Sequence, residues 1–408
     1  MKRPIVGLGQ DPHIKGAPGR HDQESQDRVR QLLEQTIAHA TDLSALVRGK
    51  SVLLKPNLVR PSCHNPYAIV TDERVLLAMI GLVKDAGARE VWVGDNPGWG
   101  LPLKTALAQT GEVRNNIERM GAKVRFFDHE PSVTVDNPDA TLFDPITLPT
   151  AVTEAECYIN LPKMKTHMLA LVTLGIKNQY GLILDEQRMH FHRNDISTKV
   201  VDILRVIKPH LTVIDGIMAV QGQAPLSGSV VPDMNTIIAG TDVVATDAVA
   251  CDVMGIDPME ATMLRLANAE GLGCAELDHI EVRGDDPALI QRRFKRPVLS
   301  VVGAYPQIHA IEGGACHGCL SGLRHALDKL HCEGKLKGKK PVTVYLGVPM
   351  PDFENVKNVR GDHWCFGNCA VPLVYDQRHH GHSARFVPGC PPHILDFYTA
   401  YLKAYDEE

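Results

Sequence analysis

A chain of 408 residues with 44% hydrophobic and 22% charged residues has an ordinary folded-protein composition and is too long for one core, so two domains are expected. The formal net charge of −5 argues against a surface that tracks nucleic-acid phosphates, which requires a basic excess. No segment offers the roughly 18 unbroken apolar residues of a membrane span, and Met1-Lys2-Arg3-Pro4-Ile5-Val6-Gly7 is too short in apolar residues for a signal peptide, so a cytoplasmic protein is expected.

From about Lys50 the pattern alternates short β-branched runs with longer amphipathic stretches, as in βαβ units that feed a parallel sheet. Ser51 to Lys55 reads as a buried strand. Asp72 to Ala86 reads as a helix with Leu76, Leu77, Ile80 and Val83 on one face, Asp72 as N-cap and Gly87 as C-cap. Glu90 to Gly94 is the next strand, Leu103 to Met120 a helical unit closed by Gly121, and Lys123 to Phe127 a strand. A helix from Ser197 to Ile207 leads into the strand Leu211 to Asp215, and the strand Thr236 to Gly240 into a helix from Asp242 to Met254. Charge and proline between Asp285 and Pro297 mark a boundary, which divides the chain into a larger domain, residues 1–299, and a smaller one, residues 300–408. The smaller domain is expected to open with a strand near Pro297 to Val302, then carry a helix from Leu320 to Leu330 and a strand from Val342 to Leu346. The fold class is therefore α/β, a mostly parallel sheet flanked by helices with a smaller cysteine-rich α/β domain behind it. Lys335 to Lys340, Arg378 to His382 and the pair His190 and His192 read as solvated surface.

Six of the ten cysteines fall after residue 315. Cys316-His317-Gly318-Cys319, Cys365-Phe366-Gly367-Asn368-Cys369 and Gly389-Cys390-Pro391-Pro392 are short turns with Gly or Pro beside sulfur, which lets backbone approach a common centre. Thiolates are soft ligands that select iron–sulfur clusters, zinc or copper(I). Cys316, Cys319, Cys369 and Cys390 are the expected ligands of one [4Fe-4S] cluster, with Cys365 as the alternative to Cys369. A structural zinc remains the alternative metal, although zinc knuckles usually pair two similar C-x-x-C turns. Cys332 reads as a bystander at a helix end, and Cys63, Cys157, Cys251 and Cys274 as small hydrophobes.

Ligands of open α/β sheets bind outside the carboxyl ends of the strands. Lys55-Pro56-Asn57, Gly94-Asp95-Asn96-Pro97 and Asp215 to Gly222 follow expected strands, as does Asn160-Leu161-Pro162-Lys163-Met164-Lys165-Thr166-His167. In extended chain Lys163, Lys165 and His167 project to one side, and Lys177 and Asn178 follow soon after. Such a set suits a carboxylate or phosphate. The residues expected to bind it are Lys55, Asn57, Asp95, Lys163, Lys177 and Asn178. His167, whose imidazole titrates near neutrality, is the expected proton donor, with Lys165 beside it in the catalytic set. Asp95, Asp215, Asp242 and Asp247 also read as turn or helix caps. No G-x-G-x-x-G, Walker A loop or H-E-x-x-H occurs.

Taken together, Lys55-Pro56-Asn57, Gly94-Asp95-Asn96-Pro97, Leu161 to His167, Gly175-Ile176-Lys177-Asn178 and Asp242 to Asp247 resemble the domain of unknown function 362 family across roughly residues 50–260. The resemblance implies a cluster-associated α/β protein with a shared polar face, and it names no substrate. The Gly389-Cys390-Pro391-Pro392 turn is also similar to a cluster-ligating turn in small subunits of hydrogenases and respiratory complex I. The resulting expectation is an iron–sulfur oxidoreductase that exchanges electrons between its cluster and an anionic small molecule. A cluster-dependent lyase or desulfurase, an electron carrier or maturation factor, and a zinc-stapled protein are the alternatives. A redox partner protein and a homo-oligomer fit the same picture, and neither nucleic acid nor membrane does.

Overall fold

The structure is a computed structural model, and it describes residues 3–15, 22–59, 68–97, 102–109, 112–191, 196–336, 340–348, 361–379, 381 and 384–405. Cys63, His192 and parts of the Lys335 to Lys340 and Arg378 to His382 patches, with the side chain of His190, lie outside the described residues. Two compact units emerge, with the chain passing from one to the other between Pro297 and Val298.

The strands of the first unit, in chain order, are β1 (Ile5–Gln10), β2 (Ser51–Pro56), β3 (Glu90–Asp95), β4 (Lys123–Phe126), β5 (Ser132–Val135), β6 (Ile146–Pro149), β7 (Cys157–Leu161), β8 (Lys163–His167), β9 (Leu171–Thr173), β10 (Leu211–Gln221), β11 (Ser229–Val231), β12 (Thr236–Gly240) and β13 (Glu281–Gly284). Its main sheet runs β13-β1-β12-β10-β7-β2-β3-β4. From β10 to β4 neighbouring strands are parallel, whereas β12 lies antiparallel to both β10 and β1. β8 continues β7 past Pro162 and pairs with β10, while β5 and β6 form a separate hairpin.

The parallel strands are buried on both faces, so they read as unbroken apolar runs rather than alternating ones. One face of β2, β3 and β7 presents Val52, Leu54, Val91, Val93, Ile159 and Leu161 to Val29, Leu33 and Ile37 of the helix Gln23–Ala40 and to Val75, Met79 and Val83 of the helix Glu73–Asp85. Asp72 caps the second helix through the Arg74 N–H, and Gly87 follows it with φ +93°. The other face carries Lys55 and Asn160, which lie side by side in register. The stretch expected as one helical unit from Leu103 to Met120 is two short helices, Leu103–Gln109 and Val113–Arg119. Thr110-Gly111 between them in sequence is poor in helix propensity.

The second unit is a parallel sheet, β14 (Ile308–Gly313), β15 (Val342–Gly347), β16 (Asp362–Phe366) and β17 (Ala384–Val387), in that order. The helix His317–Cys332 links β14 to β15, the helix Val371–His379 links β16 to β17, and the helix Ile394–Tyr405 follows β17. No strand forms at Pro297 to Val302, contrary to the sequence expectation. The Val301 N–H is taken by the Glu312 carboxylate at 2.6 Å and the Val302 N–H by the Ser300 hydroxyl at 3.3 Å, so these two donors are spent outside any ladder. Alternation along β16 sends Cys365 into one core, with Tyr345, Leu373 and Val374, and Trp364 and Phe366 into the other, against Phe397 at 5.4 and 5.9 Å between ring centres. Among the described residues no helix is long and apolar enough to cross a membrane.

Candidate functional site

In a parallel sheet all strands end on one side, and the second unit gathers its cysteines there. Cys316 occupies the N-cap of the helix after β14, and Cys319 lies in its first turn. Cys369 sits in the single turn after β16, and Cys390 follows β17. The last two turns are laced together: Asn368 N–H donates to the Gly389 carbonyl at 2.9 Å, and Gly389 N–H to the Asn368 side chain at 2.8 Å. Glycine is needed where the turns meet. A Cβ at Gly367, whose φ is +92°, would stand 2.9 Å from Cys319 Sγ, and one at Gly318 would press on Pro391 at 3.0 Å.

Cys319 is buried, whereas Cys316, Cys369 and Cys390 are exposed. Burial pushes the Cys319 thiol up to about 12, and the sulfurs of Cys316, Cys369 and Cys390 add to the rise, so all three lie within its electrostatic reach. Among the described residues no three His, Cys, Asp or Glu side chains are closed up as a ready metal-holding group. The four thiols share one edge without surrounding a point. Cys365 stands apart: it is fully buried within β16, and burial alone pushes its thiol up to about 12. Cys332, read from sequence as a bystander, is disulfide-bonded instead. Cys157 and Cys251 are buried, in line with a packing role, and Cys274 is partly so.

The polar face of the first unit is an interior network at the carboxyl ends of β2, β3 and β7. Lys55 Nζ pairs with Asp95 Oδ1 at 2.7 Å, and Asp95 Oδ2 accepts the Leu58 N–H at 2.8 Å. Lys163 pairs with Asp215 at 2.8 Å, in register across β8 and β10, and Asp215 also accepts the Asp72 N–H at 2.6 Å. Burial raises the Asp215 carboxyl against the pull of Lys163. Among the described residues Lys165 pairs with no carboxylate: its ammonium donates to Asn57 Oδ1 at 2.7 Å and to the Ile69 carbonyl at 2.8 Å. A relay of amides continues from there, Asn57 to Asn178 at 3.0 Å, Asn178 to Asn160 at 2.8 Å and Asn160 to the Gly175 carbonyl at 2.8 Å.

Among the described residues Lys177 is paired with no carboxylate either. Its ammonium stands 4.9 Å from the centre of the Tyr180 ring, which the Arg188 guanidinium also approaches, at 5.1 Å. Burial, then the charges of Arg188 and Lys55, bring Lys177 down to about 7. Burial and the charges of Lys177, Lys163 and Lys55 hold Lys165 well below the usual lysine range, against the pull of Asp95. Lys55, Lys163, Lys165, Lys177 and Arg188 thus lie in one network with Asp95, Asp215 and Asp185, and Asp215 in turn meets Asp72, which pairs with Arg74.

The structure brings the expected Lys55, Asn57, Asp95, Lys163, Lys165, Lys177 and Asn178 into this one network. His167 is engaged differently. Its Nδ1 accepts the Leu169 N–H at 3.0 Å and faces that of Ala170 at 3.3 Å, so the neutral ring carries its proton on Nε2. Arg188 and Tyr180 are additions that the sequence reading does not single out. Arg188 lies in the helix Asp185–Phe191 and donates to the carbonyls of Asn96, Tyr180 and Ile183, and no local motif marks it.

The sequence profile of the family described as Domain of unknown function (DUF362) matches residues 52–252, a span that contains the whole lysine network. A thylakoid-associated protein of Synechocystis sp. is 30% identical over 231 residues, which take in 55% of this chain and 68% of that one. Among solved structures, a Thermotoga maritima protein is 13% identical with a TM-score of 0.34, over 90% of this chain and 81% of that one. The lactate racemase apoprotein from Thermoanaerobacterium thermosaccharolyticum is 12% identical with a TM-score of 0.32, over 95% and 84%. Likenesses that low carry no inference.

Proposed function

The chain belongs to the DUF362 family, and from that premise we propose that it is an iron–sulfur oxidoreductase. In this reading Cys316, Cys319, Cys369 and Cys390 hold one [4Fe-4S] cluster in the second unit, and the lysine network of the first unit binds the anionic small molecule that exchanges electrons with it. The observation that carries it is the delivery of four thiols to one sheet edge by three turns fitted against each other through Gly367, Gly318 and Asn368. Cluster-binding proteins combine soft donors with backbone close enough to approach the sulfurs, and these turns supply both.

When bound, the cluster would supply one-electron transfer at a potential tuned by its surroundings. The chain's own residues do the rest. Neither Lys165 nor Lys177 is paired with a described carboxylate, and burial and the neighbouring cations hold both below the usual lysine range, so an entering anion favours their charged forms and relieves the crowding among Lys55, Lys163 and Arg188. Asn57 and Asn178 hold the lysine and the turn in place. His167, whose ring is anchored at Nδ1 and whose neutral form carries its proton on Nε2, is the proposed proton donor.

Anaerobic purification with iron, zinc and acid-labile sulfide quantified per chain tests the reading. About four irons and four sulfides, with a visible spectrum that bleaches under dithionite, is the expected result. One zinc with no sulfide would refute the cluster and make the thiols a structural site.

A further inference from the structure

We propose that Asn368 is the positioning residue that fixes Cys369 and Cys390 for metal, and so sets how tightly the thiol edge of the second unit holds it. The proposal rests on the cluster reading above for the metal and on the chain alone for the geometry. Cys316 and Cys319 are neighbours on one helix, so their separation is set locally. Cys369 and Cys390 belong to turns after different strands, and something must hold those turns together.

Strand pairing does so only in part. β16 and β17 run in register as far as Phe366 and Val387, and Gly367 N–H still reaches the Val387 carbonyl at 3.0 Å. There the ladder ends, short of both cysteines. Asn368 carries the join onward with its backbone and its side chain together: its N–H donates to the Gly389 carbonyl at 2.9 Å, and its Oδ1 accepts the Gly389 N–H at 2.8 Å. Asn368 directly precedes Cys369 and Gly389 directly precedes Cys390, so this reciprocal pair of bonds stops one peptide short of each thiol-bearing residue. Gly389 has no room for a side chain of its own, since a Cβ there would stand 2.6 Å from Pro392 Cα with φ at +138°.

The consequence is preorganisation. A metal that meets loose turns must order them as it binds, and ordering one residue's backbone weakens an equilibrium by a factor of roughly 5 to 30. With the Asn368 lock in place that ordering precedes the metal. The bond also selects the residue type: a backbone N–H needs an acceptor, so a carboxylate of the same length can replace the amide oxygen and alanine cannot. Asn368 is exposed, so its side chain can be removed without opening a cavity.

The test compares the full-length wild-type protein with Asn368→Ala and Asn368→Asp, each purified anaerobically, by iron and sulfide per chain and by the rate at which excess ferrozine strips the iron. Salt at about 1 M, with a screening length of about 3 Å, screens the charge that aspartate adds beside the thiolates. Asn368→Ala is expected to lose iron roughly five- to thirtyfold faster than wild type, and Asn368→Asp to hold it as wild type does. Urea midpoints of the metal-free chains are expected to agree, because turns freed in Asn368→Ala regain the entropy that the lost bond had offset. Equal release from Asn368→Ala and wild type overturns the proposal, and so does an Asn368→Asp protein as leaky as Asn368→Ala. If wild type carries one zinc and no sulfide, the cluster reading fails, and Asn368 is then judged by zinc transfer to a chelator, with the same order of rates expected. A wild-type chain that holds neither metal refutes both.

Discussion

Cys365 and Cys369 are four residues apart and chemically alike, yet their settings predict opposite outcomes. Cys365 is fully buried among Tyr345, Leu373 and Val374, whereas Cys369 is exposed on the edge shared with Cys390. Replacing Cys365 by Ala removes one buried sulfur and leaves a small void, at a cost of about 1–2 kcal/mol. The same change at Cys369 removes an exposed atom and costs the metal-free chain no more than about 0.5 kcal/mol. Metal content should reverse that order. Cys365→Ala is expected to keep about four irons per chain, and Cys369→Ala to lose at least about half of them. Iron and sulfide assays on anaerobic preparations, paired with denaturant midpoints of the chelated proteins, read both quantities. A Cys365→Ala protein without iron beside a fully loaded Cys369→Ala protein would refute the assignment. Equal iron in both would show that neither thiol is required.

Asp95→Asn leaves the Lys55 ammonium buried without its carboxylate, which costs about 3–5 kcal/mol. Burial already lowers Lys55, so its charged form burdens the fold, and stability returns as pH rises through the folded value towards the unfolded one near 10.4. Urea midpoints should therefore show the deficit shrinking between pH 7 and pH 9.5, and a constant deficit would point to lost packing instead. Gly181→Ala places a Cβ 2.3 Å from Asp95 Oδ1 and 2.6 Å from Lys55 Nζ, which forces the same pair apart. Its cost, about 1–3 kcal/mol from overpacking, should fail to add to that of Asp95→Asn in a double-mutant cycle. Asp247 is raised to about 7 by burial, so the folded state holds its proton more tightly than the unfolded chain. Its contribution to stability is full below about pH 4 and disappears as pH climbs through about 7. Asp247→Asn should flatten that slope, and an unchanged slope would assign it to other groups.

Much of the βαβ pattern was legible because capping and periodicity agreed. The strand at Ser51, the helix capped by Asp72 and the helix that starts after Asp242 all stand where those signals place them. The strand expected near Pro297 fails because a valine run says nothing about which acceptor takes its N–H groups, and here a carboxylate does. The helix Gln23–Ala40 escaped notice although Val29, Leu33 and Ile37 repeat at its period, since charged residues fill the positions between. Within the polar face, residue type and placement after strands were enough to collect the lysines. The pairing was not readable, because Lys163 meets Asp215 and Lys55 meets Asp95 only through strand order, which spacing does not encode. Arg188 comes from a segment outside any recognisable motif, and Tyr180, though close to Lys177 and Asn178 in sequence, carries no mark of its role; both enter by packing.

The thiols of the second unit come from β14, β16 and β17, and only Cys316 and Cys319 are neighbours along the chain. A newly made, unfolded chain therefore offers a metal only a two-thiol grip. The remaining donors arrive when the strands have taken their order and the turns at Asn368 and Gly389 have locked. On the proposed cluster reading, loading would be tied to the completion of the last strand, so a truncated or misregistered chain would be expected to emerge empty.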